Sequence, residues 1–389
     1  MARRIYLDHA STTPLRGEAL EAMLPFLREE FGNPSSLHFF GRRPHEALEQ
    51  ARAAVAALIG ARVEDVYVTS GATEANNWAL KGVAAGARNR NRPAHVITSQ
   101  IEHYSVLHPA KTLQRQGLRV TFLPVDQYGF VDPATVESAI DDDTVLISIT
   151  HASNEIGTIE PIAEVAQVAR AHKVPLHIDA TQTVGSIPVD VGALGVDMLT
   201  LAAHQFYGPK GEGALDVRRG VRLLPLLEGG LQESGRRAGT ENVAGIVGMG
   251  RAAELAAAEI DQRMARLSVL RDRLRQGLAD RIPELVFTGH PAQRLPGHVS
   301  FCVRYVEGES MLLILDAKGV SAASGSSCTS RALKSSHVLE AIGIESGLAN
   351  GSVVLSLGAD NGEADVDYVL EAMPPIVERL RAMSPLMPQ

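Results

Sequence analysis

Two periods organise the hydrophobic and polar positions of this chain. Residues 19–31 and 45–59 repeat apolar side chains at helical spacing, the second stretch with an Ala-rich face. Asp65-Val-Tyr-Val-Thr-Ser70 reads as a short strand ending at Ser-Gly-Ala-Thr-Glu, and a helix follows from about Glu74 to Gly82. The alternation then repeats, with strand 95–98 and helix 105–116, strand 119–124 and helix 133–140, and strand 144–150 and helix 162–172. Two more strands, 175–179 and 197–201, complete the series. Strands interleaved with helices predict a mostly parallel sheet covered on both faces. Past Asn242 an Ala-rich pattern predicts one long helix over roughly 243–277, its charges forming a solvated face. The last third reads as strands 297–303 and 351–357 with helices 308–317 and 366–383. The expected architecture is α/β, with a large domain over residues 16–259 and a smaller α+β domain built from 1–15 and 260–389. The N-terminal strand is expected to pack with the smaller unit.

A chain of 389 residues is long enough for two packed domains. Apolar residues make up 45% and aromatic residues only 4%, which fits Ala-rich helices and Gly-rich turns. The net charge of −8 and the lack of a basic face argue against a nucleic-acid partner. No run of 18 apolar residues occurs, so no membrane span is expected. The start, MARRIYLDHASTTPL, carries two arginines with no apolar run behind them and does not read as a signal peptide. Cys302 and Cys328, the only cysteines, make no disulfide framework, and a reducing cytoplasmic setting is the simplest expectation.

The candidate chemistry gathers at strand ends. Ser70-Gly-Ala-Thr-Glu74 could aim helix N–H groups at an anion, though a capped helix alone would look the same. His103 and Asn154 each follow a strand, and His204 ends another. Asp179 stands at the carboxyl end of its strand, with Gln182 in the next turn. A carboxylate in that position is costly unless it meets a cation. The pyridinium nitrogen of pyridoxal phosphate (PLP) is one such cation. Four strand ends thus bring polar groups to one crevice, the place where such sheets bind ligands. Cys302 lies in an alternating strand and reads as a buried structural residue. Cys328, flanked by Ser, Gly and Thr without apolar periodicity, reads as an exposed, functional loop cysteine.

These residues resemble the PLP-dependent cysteine desulfurases of fold type I, in the class V aminotransferase family. The resemblance runs from Tyr6-Leu-Asp-His-Ala-Ser-Thr-Thr-Pro14 through Asn33-Pro-Ser-Ser-Leu-His38, Thr69-Ser-Gly-Ala-Thr-Glu-Ala-Asn-Asn77 and Ile101-Glu-His103. It continues through Ser153-Asn-Glu-Ile-Gly157, Asp179-Ala-Thr-Gln182, Tyr207-Gly-Pro-Lys-Gly211, Gly239-Thr-Glu-Asn242 and Ser324-Gly-Ser-Ser-Cys-Thr-Ser330. It implies that Ala72, Thr73 and His204 hold the PLP phosphate and that Thr240 reaches the phosphate of a partner subunit in a homodimer. By the same resemblance His103 stacks on the ring and moves protons. Asp179 pairs with the ring nitrogen, Gln182 donates to the phenolic oxygen, and Asn154 holds the ring and substrate. Cys328 would attack the sulfur of L-cysteine, leaving alanine and a persulfide.

The chain departs from the family pattern where it matters most. Gln205 stands at the position of the lysine that anchors PLP, and an amide forms no imine with the cofactor aldehyde. Ala202 replaces a phosphate-binding serine, Val354 an arginine that grips the substrate carboxylate, and Ala359 a further arginine. Lys210, five residues on, belongs to a Gly-Pro-Lys-Gly turn that relatives also carry and is not expected to substitute. Losing a lysine base costs ~10²–10⁴-fold in rate. The chain stops soon after Ser384-Pro-Leu and is expected to lack the longer tail with which some relatives meet an iron–sulfur scaffold. Two readings stand at this point. One is a desulfurase that holds PLP non-covalently, turns over slowly and supplies sulfur for iron–sulfur clusters or thiolation. The other is a non-catalytic homologue that accepts sulfur, or ligates a shared cluster through Cys328, as the partner of an iron–sulfur scaffold protein. A third, less favoured, is another reaction of the superfamily on a different substrate.

Overall fold

The computed structural model describes residues 4–89, 93–325, 336–385 and 387. In chain order the strands are β1 (Ile5–Tyr6), β2 (Val66–Thr69), β3 (His95–Ser99), β4 (Arg119–Leu123), β5 (Thr144–Thr150) and β6 (Leu176–Asp179). They continue with β7 (Met198–Ala202), β8 (Gly213–Val217), β9 (Leu285–Phe287), β10 (His298–Val303), β11 (Val320–Ser321) and β12 (Ser352–Ser356). Seven of them form the main sheet in the order β2-β8-β7-β6-β5-β3-β4. From β7 to β4 neighbouring strands run parallel, while β8 lies antiparallel to both β7 and β2. This bears out the expected α/β class with a mostly parallel sheet.

β5, β6 and β7 are nearly wholly buried, which is why they read as continuous rather than alternating apolar runs. One face of the sheet packs Ile147, Ile178 and Leu199 against Val55, Ile59 and Met249. The other sets Leu146, Met198 and Leu215 against Trp78, Leu80 and Val106. β8 was not expected, because a five-residue run beginning at a glycine turn carries no period of its own. The helix Ala72–Arg88 also runs past the expected end at Gly82. A Cβ at Gly82 would lie 2.6 Å from the Leu224 carbonyl oxygen, so this glycine permits close packing rather than ending the helix.

β1 pairs in parallel with β11, Ile5 opposite Val320. β10 lies antiparallel between β12 and β9. Around these strands Leu7, Phe301, Val353, Leu370 and Met373 form a separate apolar cluster. The helix Val243–Arg281 has 39 residues and is about 58 Å long at a rise of about 1.5 Å per residue. Its Met249 and Ala253 belong to the main-sheet core, and its Leu270, Leu274 and Leu278 to the smaller one. One rigid element therefore ties both cores together beside the strand ends.

Candidate active site

A cavity of about 780 Å³ opens at the carboxyl ends of β5, β6 and β7. β6 delivers Asp179, only 5% exposed, to its wall. Asn76 Nδ2 donates to Asp179 Oδ2 at 2.7 Å, and Thr181 donates to Oδ1 from its backbone N at 3.0 Å and its hydroxyl at 2.5 Å. Three donors hold the carboxylate in one orientation.

Gly71 adopts φ +133°, and the helix Ala72–Arg88 starts immediately after it. The first N–H groups of a helix have no partner within it, so Ala72 and Thr73 present donors where both residues line the cavity. Glu74 sits in the same turn and also lines the cavity, its carboxylate held by two neighbours. It accepts from Ser70 N at 2.8 Å and from Arg237 Nε at 2.8 Å. Burial alone would raise the Glu74 carboxyl, yet the bonds from Arg237 and Ser70 outweigh it and hold it below its ordinary value. The acid in the motif thereby clamps Arg237, on the segment ahead of Thr240, to the start of the helix.

His204 lies in a short turn after β7, its Nδ1 3.2 Å from Thr12 Oγ1. Burial, followed by the nearby Lys210 charge, holds its imidazole below the usual value. Gln205 adjoins it and donates to the carbonyls of Ala10 at 3.0 Å and Ser11 at 3.2 Å. Gln182 donates to the same Ala10 carbonyl at 2.9 Å. His103 caps the helix Tyr104–Arg115, and its Nδ1 faces Ser105. Asn154 lines the cavity, and its own carbonyl accepts from His298 Nε2 at 2.9 Å. Val354, 4% exposed, makes an apolar wall held by paired bonds with Ala323. Lys210 also lines the space, and Ala202 is buried in β7.

The cavity therefore brings together Ala72, Thr73, His103, Asn154, Asp179, Gln182, His204 and Gln205. Thr240 lies outside it, exposed on the loop ahead of the long helix. Cys328, the expected nucleophile or cluster ligand, lies outside the described residues, although Ser324 and Gly325 before it line the cavity. Cys302 is buried in β10, and burial pushes its thiol up to about 12, so it is no nucleophile at neutral pH. Among the described residues no cluster of three or more His, Cys, Asp or Glu is arranged to hold a metal. Asn76, Ser105 and Thr181 escaped the sequence reading. The available signal was Asn76, a lone amide beside Ala75, Trp78 and Ala79 on the buried face of a helix.

The class V aminotransferase family matches residues 5–369. A cysteine desulfurase IscS of Methanosarcina thermophila is 51% identical over 387 residues, spanning 100% of this chain and 95% of its own length. One from Dictyoglomus turgidum is 50% identical over 385 residues, spanning 99% and 97%. Among solved structures, a NifS-like protein superposes with a TM-score of 0.91 at 36% identity, covering 97% of this chain and 100% of its own. A structure described as SspA in complex with cysteine gives 0.80 at 33% identity, covering 91% and 98%. With a family match over nearly the whole chain and relatives at half identity throughout, this protein belongs to the class V aminotransferase family and, within it, to the cysteine desulfurases.

Proposed function

We propose that this protein takes sulfur from L-cysteine as a persulfide on Cys328, releases alanine, and hands the sulfur to an acceptor for iron–sulfur cluster assembly or thiolation. PLP, the cofactor of the family, is held without a covalent bond. One observation carries the reading: Asp179, fixed by three donors, shares a cavity with a free helix N-terminus and two histidines. That donor set suits a cofactor with a cationic ring nitrogen at one end and a phosphate at the other. Position 205 does not suit covalent anchorage, since the Gln205 amide is non-nucleophilic and bonded to Ala10 and Ser11.

Ala72, Thr73 and His204 would hold the phosphate, with Thr240 of a second copy completing it in a homodimer. Asp179 would face the ring nitrogen, His103 the ring plane, Gln182 the phenolic oxygen, and Asn154 the ring edge and substrate. When bound, PLP supplies an electron sink for the carbon skeleton of the substrate. Cys328 supplies the thiolate, which attacks the substrate sulfur. A new S–S bond forms as the Cβ–S bond breaks, the electron pair passes to Cβ, and a proton taken there completes alanine. His103 holds a proton at the cavity edge for this purpose. The apolar wall at Val354 gives the substrate carboxylate no cation, so binding is weakened. A cytoplasmic setting belongs to the same proposal. Among the described residues no helix is long and apolar enough to cross a membrane.

The test is sulfide and alanine release from L-cysteine with added PLP. Turnover by the native chain that Cys328→Ser abolishes supports the proposal. A silent native chain, with activity only after Gln205→Lys, overturns it in favour of a fold kept for binding.

A further inference from the structure

A chain of hydrogen bonds under the cavity does work that none of the roles above assigns. Asn76 is wholly buried on the helix Ala72–Arg88. One Nδ2 hydrogen reaches Asp179 Oδ2 at 2.7 Å and the other reaches Ser105 Oγ at 2.8 Å. Its Oδ1 has no partner among the described residues. A flipped amide would turn that oxygen onto the Asp179 carboxylate, acceptor against acceptor, so the orientation follows from the network. Packing alone does not call for an amide here, because a buried unpaired oxygen is unfavourable and an apolar side chain would avoid it.

Ser105 passes the arrangement on. With Asn76 donating to its Oγ, the hydroxyl has its single proton to give, and His103 Nδ1 lies 2.7 Å away. The Ser105 backbone N–H aims at the same nitrogen from 3.2 Å. Two donors converging on Nδ1 leave no place for a proton there, and the neutral ring must carry its proton on Nε2.

We propose that Asn76 and Ser105 are positioning residues that lock neutral His103 as the Nε2–H tautomer, so that the ring offers the cavity a proton rather than a lone pair. The same two residues tie the His103 ring to the carboxylate of Asp179, so the two groups act as one unit. The inference deepens the desulfurase reading and rests on it only for what the Nε2 proton is used for.

The test is long-range ¹H–¹⁵N spectroscopy of the full chain labelled at histidine, without added cofactor, with His103→Gln to assign the signal among the 13 histidines. The native ring should show an unprotonated Nδ1 and a protonated Nε2. Ser105→Ala and Asn76→Ala should each reduce the Nε2–H preference by about five- to tenfold, the loss of one hydrogen bond. Ser105→Thr, which keeps the hydroxyl, should preserve it. A native Nδ1–H tautomer, or ring shifts unchanged in Ser105→Ala, overturns the proposal. Should Asn76→Ala fail to fold, the Ser105 pair still decides it. Sulfide release from the same samples reads the functional proposal separately, so either can fail alone.

Discussion

Gln205 and Ala10 are joined by a 3.0 Å hydrogen bond from side-chain amide to main-chain carbonyl. Gln182 donates to that same carbonyl at 2.9 Å. Gln205 therefore fastens the N-terminal segment beside the cavity with an amide and presents no amine. Gln205→Lys should exchange one task for the other. With PLP added, the native chain should lose its cofactor on gel filtration and gain no mass on borohydride treatment. The lysine variant should retain PLP covalently after reduction, read by mass spectrometry, and turn over ~10²–10⁴-fold faster.

Val354 should limit substrate affinity. Its side chain forms an apolar part of the cavity wall and is 4% exposed. In the Gln205→Lys background, Val354→Arg should lower KM for L-cysteine by about 10- to 100-fold, since a charge-assisted bond to the carboxylate is worth roughly 1.5–3 kcal/mol. A melting curve checks that the larger side chain is accommodated. An unchanged KM in a folded variant would place the carboxylate elsewhere.

The pair Arg52–Glu233 should contribute strongly to stability at the β2 edge of the main sheet. Arg52 Nη1 and Nη2 donate to Glu233 at 2.6 and 2.8 Å, and Val68 N donates to the same carboxylate at 2.9 Å. Both partners are nearly wholly buried. Removing one strands the other, so Glu233→Ala should cost about 3–5 kcal/mol in urea unfolding, while a double replacement by methionine should cost far less.

Stability should fall on both flanks of mildly acidic pH. Glu102 is buried, accepts from Ser99 Oγ at 2.6 Å and Thr150 N at 2.9 Å, and burial outweighs both to push its carboxyl up to about 8. Folding thus favours the protonated acid. Its contribution is complete below pH 4.5 and lost as pH rises through about 8. Burial acts oppositely on His151 and His177, pushed down to about 4, and on His298, pushed down to about 3. Their contribution is complete above pH 6.5 and lost as pH falls toward those values. Glu102→Gln should reduce the alkaline limb of the unfolding free energy against pH, which the buried Glu155, Glu160, Glu212 and Asp216, raised by the same burial, share, and leave the acid limb in place.

The alternation of strand and helix was legible because each parallel strand buries both faces and each covering helix buries one stripe. β5 and β6 begin and end within a residue of expectation for that reason. The strand-end site was legible for a related reason, since polar residues that close a buried strand stand out against it, as Asp179 does after Leu176, His177 and Ile178. Gly82 misled because a glycine chosen for close approach looks the same in sequence as one that ends a helix.

By itself the amino-acid pattern determined six of the seven strands of the main sheet, most of its flanking helices and the strand ends on which His103, Asn154, Asp179 and His204 stand. Only the tertiary structure decided what those residues touch. Asn76 meets Ser105 across 29 positions and Asp179 across 103, and Gln205 meets Ala10 across 195. Such bonds depend on strand order and on how helices seat against the sheet. The local spacing of residues does not contain that information, because a side-chain donor finds its acceptor only after the backbone has packed.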